Sequence, residues 1–101
     1  MKLVHISVHF EFTQEVERIL DDRDVQNYVR TSMVQGRDSC GKHQGTQVHP
    51  GNLSFIQAQV ADDAVEGLLE DLREFQQQRK THHHITAVVL GVEKSLAPGE
   101  S

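Results

Sequence analysis

The residues best suited to chemistry lie between positions 36 and 51. Cys40, His43 and His49 are soft or borderline metal donors, and Cys40 is the chain's single cysteine. One loop can gather a thiolate and two imidazoles around Zn or Cu. The spacing C-x2-H-x5-H matches no structural zinc motif, however, and a closed tetrahedral site needs a fourth ligand. His82 and His84 are the candidates to complete the set. In a segment entering a strand they share a face while His83 points away. The plainer alternative is a set of solvated imidazoles and an ordinary thiol.

The same stretch offers different chemistry to an anion. Glycines stand at 36, 41, 45 and 51. They permit the positive φ and close approach by which backbone amides cradle a phosphate or carboxylate. Arg37 can clamp an oxyanion with two parallel N–H groups, and Lys42 adds a point charge. Arg79 and Lys80 form a second cationic pair just ahead of the histidine run. The ligand-binding candidates are therefore Gly36, Arg37, Gly41, Lys42, His43, Gly45, Arg79 and Lys80. A structureless connection of about 15 residues is uncommon inside a compact domain, and is usually functional or disordered. Cys40 with His43 is the only local nucleophile–base pair, and a glycine-rich loop preorganises it poorly. The expectation is a binding protein, not an enzyme.

The elements that must position these groups follow from periodicity. "KLVHISVHF" alternates, with Val4, Ile6, Val8 and Phe10 on one face and His5, Ser7 and His9 on the other; that is a strand with one apolar face. In "TQEVERILDDRDV", Val16, Ile19 and Leu20 make a helical stripe, with Thr13 as the expected N-cap and Glu15 complementing the dipole. "NYVRTSMVQ" reads as a second strand and "NLSFIQAQV" as a third, the latter with Ser54, Ile56, Ala58 and Val60 on one face. Val65, Leu68, Leu69, Leu72 and Phe75 mark a second helix that begins at Asp62 or Asp63. "EDLRE" reads as its wet face. "ITAVVLGVE" is a very apolar last strand, expected to be buried on both faces. The order β-α-β-β-α-β gives an α+β, ferredoxin-like fold: an antiparallel sheet with two helices on one face. The chain divides into one domain, 1–96, with the glycine-rich segment at 36–51 and a disordered tail at 97–101.

Composition narrows the function classes. A chain of 101 residues suits a single domain. A formal charge of −5 argues against sequence-independent nucleic-acid binding. Seven histidines make that charge sensitive to pH just below neutrality. A lone cysteine excludes an internal disulfide and fits a reducing cytoplasm. "MKLVHISVHF" has no signal-peptide pattern, and no run approaches the roughly 20 apolar residues of a membrane span. The expectation is a cytoplasmic protein that meets a membrane only through a partner.

Three stretches carry a family resemblance. "VQGRDSCGKHQGTQ" resembles the start of the T-loop of the nitrogen regulatory PII family, with Gly41-Lys42-His43-Gln44-Gly45 beside that family's G-R-Q-K-G. "QAQVADDAVEGLLEDLRE" is similar to its third strand and second helix, and "AVVLGVEKSL" to its last strand, which ends in a V-L-P-V-E-like run. The resemblance extends to the wider PII-like and CutA-like superfamily. It implies a homotrimer whose sheets pack around a three-fold axis. A small effector such as an adenine nucleotide would sit in the inter-subunit clefts, and a mobile loop would control a protein target, a transporter or an enzyme. A CutA-like likeness implies instead metal binding or sensing through Cys40, His43, His49, His82 and His84. Two departures stand out. The family's T-G-x-x-G-D-G-K phosphate loop is replaced by the glycine-free "QQQRKTHHH", and the tyrosine that many members uridylylate has no counterpart in 39–52.

Overall fold

The computed structural model describes residues 1–34 and 53–99. Strands β1 (Lys2–His9), β2 (Tyr28–Val34), β3 (Leu53–Val60) and β4 (Thr86–Gly91) alternate with helices α1 (Thr13–Asp22) and α2 (Val65–Gln78). The sheet order is β2-β3-β1-β4 with every pairing antiparallel. That is the expected ferredoxin-like topology, two interleaved crossovers with both helices on one face.

Register explains the core. Val4, Ile6 and Val8 of β1 stand opposite Ala58, Ile56 and Ser54 of β3, so all six point to the helical side. Val16 and Leu20 of α1 and Leu68, Leu72 and Phe75 of α2 close over them, all buried. Each fully buried aliphatic side chain contributes about 1.5–3 kcal/mol, and this single layer holds the sheet to the helices. Its one buried hydroxyl pair is satisfied internally: Ser54 and Thr13 share a hydrogen bond of 2.9 Å.

The other face of the sheet is uncovered. Val29 is 62% exposed, Val88 53% and Leu90 51%. The expected burial of β4 on both faces is thus corrected. β4 lies at the sheet edge, Ala87 and Val89 pack against the core, and the intervening residues face away. His5 lies on that open face, where it meets the Phe55 ring at 4.9 Å and Gln57 Nε2 at 3.4 Å.

Thr13 is also corrected as an N-cap. A 3-10 turn, Phe10–Phe12, precedes the helix, and the Thr13 hydroxyl donates back to the Phe10 carbonyl at 2.8 Å instead of capping a forward amide. At the other end α1 closes with a Schellman pattern. The Asp24 amide bonds to Asp21 O at 3.0 Å, and the Val25 amide to Leu20 O at 3.0 Å. This places Asp24 at φ 60, the left-handed region that a side chain resists.

Asp71 within "EDLRE" is more than wet surface. Its two oxygens take the Arg23 fork, Nε at 2.6 Å and Nη2 at 3.0 Å, tying the end of α1 to the middle of α2. Hydrogen bonding to Arg23 holds the Asp71 carboxyl below the usual carboxylate range. Gly67 makes room for this clamp, since a Cβ there would collide with Arg23 Nη1 and stand 2.9 Å from Cζ. A glycine inside a helix costs about 0.5–1 kcal/mol, and here that cost leaves room for the guanidinium beside the helix backbone. Elsewhere in the patch Arg73 and Glu70 pair at 2.7 Å, three residues apart as expected.

These contacts generate two stability predictions. Asp24→Gly relieves the left-handed strain and removes a carboxylate from a helix C-terminus. It should stabilise the fold by about 0.5–1 kcal/mol in urea titration; a lowered midpoint would refute the strain. Because the folded Asp71 value is depressed, its contribution is complete above the unfolded carboxylate range near 3.9 and is lost as pH falls through the folded value. The stability gap between wild type and Arg23→Ala should therefore shrink between pH 6 and pH 2.5. A constant gap would mean that the ion pair contributes nothing.

Candidate functional site

One end of the sheet collects strand ends and turns. β1 finishes there at His9, β3 starts there at Leu53, and the two pair. Val34, the last residue of β2, also stands opposite Leu53, so the segment 35–52 leaves from and returns to this edge. Between the Phe10–Phe12 turn and a second 3-10 turn, Lys80–His82, runs a groove of about 440 Å3. It is lined by His9, Glu11, Phe12, Leu53, Lys80, Thr81 and His84. That volume lies in the usual range for a small-molecule site.

Behind the groove lies a stack of rings. His82 is 3% exposed. It stacks on Phe75 with centroids 3.9 Å apart and planes 5° apart, and it meets Phe12 edge-on at 4.6 Å. Phe12 in turn reaches His9 at 6.0 Å and Phe75 at 6.2 Å. The ring of Phe12 therefore forms a wall between the groove and the core.

The second turn takes its shape from the end of α2. A helix leaves its last four carbonyls without intrahelical partners, and α2 stops at Gln78 because Arg79 turns to extended geometry, φ −146 and ψ 152. Phe75 is one of those four. Its carbonyl lies 2.8 Å from His82 Nδ1. A carbonyl can only accept, so Nδ1 carries the proton. His82 Nε2 is then buried with no hydrogen-bond partner among the described residues. Gln76 adds a second stitch, donating through Nε2 to Ile85 O at 3.0 Å and to His83 O at 3.4 Å.

Charges in the groove are mixed. Lys80 is its cation and Glu11 its carboxylate. His9 Nδ1 lies 3.3 Å from the Glu11 amide and 3.6 Å from Glu11 Oε1. One nitrogen serves only one of these at a time. With its lone pair it accepts from the amide, and with a proton it faces the carboxylate.

Of the residues singled out in the sequence, the groove brings together Lys80 and His84. Arg79 is exposed at the end of α2 and does not line it. His82 and His84 do not share a strand face: β4 begins only at Thr86, and His82 sits inward in the turn with Nδ1 engaged. Among the described residues no group of three or more His, Cys, Asp or Glu side chains can hold a metal ion. Gly36, Arg37, Cys40, Gly41, Lys42, His43, Gly45 and His49, with the whole 36–51 segment, lie outside the described residues. Sequence reasoning missed His9, Glu11, Phe12 and Leu53 as groove residues. The available signal was two of the chain's four phenylalanines within three positions directly after β1.

No family model matches this chain, and no curated protein does. Solved structures do. CPII, a nitrogen regulatory PII-like protein from Thiomonas intermedia K12 solved with ADP, AMP and bicarbonate, superposes with a TM-score of 0.71 at 21% identity, covering 88% of each chain. The fold is PII-like. The apo form of CPII gives a TM-score of 0.67 at 20% identity over 87% of this chain and 84% of that one. A PII-like signalling protein from Thermus thermophilus gives 0.62 at 17% identity over 87% and 81%. Identities this low establish the PII-like fold alone. Among the described residues no helix is long and apolar enough to cross a membrane.

Proposed function

We propose that this chain is a trimeric, non-enzymatic regulatory protein that binds an adenine nucleotide in the groove and controls a protein target through the 36–51 segment. The observation that carries the reading is the match over 88% of the chain to a PII-like protein solved with ADP, AMP and bicarbonate. The groove's position supports it, because Leu53, which begins β3 and pairs with Val34 at the end of β2, lines it. Lys80 supplies charge for phosphate, and the Phe12 ring and Leu53 give an apolar wall for a base. The uncovered sheet face, with Val29, Val88 and Leu90 exposed, supports the trimer, since neighbouring copies would bury it. Occupancy of the groove would then decide whether a transporter or enzyme docks. The setting is cytoplasmic.

Calorimetric titration of the full chain with ADP tests the reading. Binding is expected, and Lys80→Ala should weaken it about tenfold or more, as for loss of a charge-assisted hydrogen bond, while light scattering still reports a trimer. Val88→Glu should disperse the trimer and leave the circular dichroism of the fold intact. Absence of both heat and thermal shift with ADP, AMP and bicarbonate would reject the nucleotide reading, and a monomeric wild type would reject the assembly.

A further inference from the structure

We propose that His82 is the positioning residue of the groove: its Nδ1–H, bonded to the Phe75 carbonyl, latches the 80–84 turn that presents Lys80 and His84. The proposal deepens the binding reading above and rests on it only for what the turn is for.

Three observations converge. His82 is the one buried side chain among the described residues that carries an unpartnered polar atom, Nε2. A buried orphan of this kind is costly, and it persists where the rest of the side chain does something the fold needs. Here the ring fills the gap between Phe75 and Phe12, and Phe12 lines the groove. Nδ1 satisfies a helix-end carbonyl that would otherwise be an orphan itself.

The backbone of the turn explains why a side-chain latch is required. The segment from 68 to 90 contains no glycine. The turn's own amides are consumed internally: His82 N bonds to Arg79 O at 3.1 Å, His83 N to Lys80 O at 3.2 Å, and Ile85 N to His82 O at 3.2 Å. Those three amides cannot cradle a phosphate. At those positions recognition falls to side-chain heads, and on this proposal the rigidity of the turn that carries them depends on His82. Its role is indirect, exercised through Lys80, His84 and Phe12.

The test needs no ligand, so it can fail while ADP binds and succeed while ADP does not. Nitrogen NMR of the full-length chain should show His82 as the Nδ1–H tautomer; an Nε2–H ring overturns the proposal. Two substitutions then separate donor from ring. His82→Asn places an amide nitrogen two bonds from Cβ, where Nδ1 stood, and keeps the donor. His82→Phe keeps the stack and loses the donor. In His82→Phe, hydrogen-exchange protection of the 82, 83 and 85 amides should fall about tenfold, with β1 and β3 amides unchanged, whereas His82→Asn should stay within about threefold of wild type. Wild-type protection in His82→Phe, or equal loosening in both variants, would show that the donor is not the latch.

Discussion

The end of helix α2 is the constraint on which the site depends. A helix that stops must find partners for its last carbonyls, and in the last turn of this one Phe75 is buried while Gln77 and Gln78 are exposed to water. His82 Nδ1 meets that requirement at Phe75 O, and Gln76 reaches across the turn to Ile85 O, just ahead of β4. Those two bonds fix where the chain reverses, hence where β4 enters the sheet and which side chains of 80–84 face outward. Lys80 stands at the start of that turn and lines the groove.

A second constraint is the one-sidedness of the sheet. Two helices cover one face, and the opposite face keeps a mixture of Val29, Val88 and Leu90 with His5 and Gln57. Apolar residues at this density are no help to a lone subunit, since exposed β-branched and leucine side chains leave an unshielded surface. His5 and Gln57, bonded to one another, keep the face from being uniformly greasy. A face of this kind suits a partner surface that is part apolar and part hydrogen-bonding.

Periodicity made the fold legible. The alternation through Val4, Ile6 and Val8 and the stripe Val65–Leu68–Leu72–Phe75 encode burial locally, and β1 and α2 bury those faces, whereas Phe10 and one face of β4 are exposed. The site was less legible because its parts meet across the sequence. Nothing local in "THHH" distinguishes His82 from its neighbours; only the rings of Phe12 and Phe75, brought alongside by the fold, make it the buried one. Arg23 and Asp71 are 48 positions apart, and their clamp is invisible to any helical pairing rule. Thr13 misled for a related reason. Its residue type suits an N-cap, but a preceding turn and the buried Ser54 hydroxyl offered better partners than the helix amides. Lys80 was legible because a cation next to a helix end needs no distant partner to reach solvent.

Electrostatics sets the terms on which such a groove can hold an anion. The chain carries −5 overall, and the Phe10–Phe12 turn, α1 and α2 place Glu11, Glu15, Asp22 and Glu74 along one cleft. Glu11 borders both that cleft and the groove. An approaching phosphate therefore meets long-range repulsion, which salt screens over about 10 Å at 0.1 M, before it meets Lys80 at short range. The two effects oppose each other in salt dependence: added salt lowers the barrier to approach and also weakens the final ion pair. With turn amides 82, 83 and 85 engaged internally, no preorganised backbone dipole at those positions adds a salt-insensitive contribution. The apolar wall of Phe12 and Leu53 is the part of the groove that salt does not weaken. An apolar wall of this kind gives contact area to a ligand that carries a ring and none to a bare phosphate.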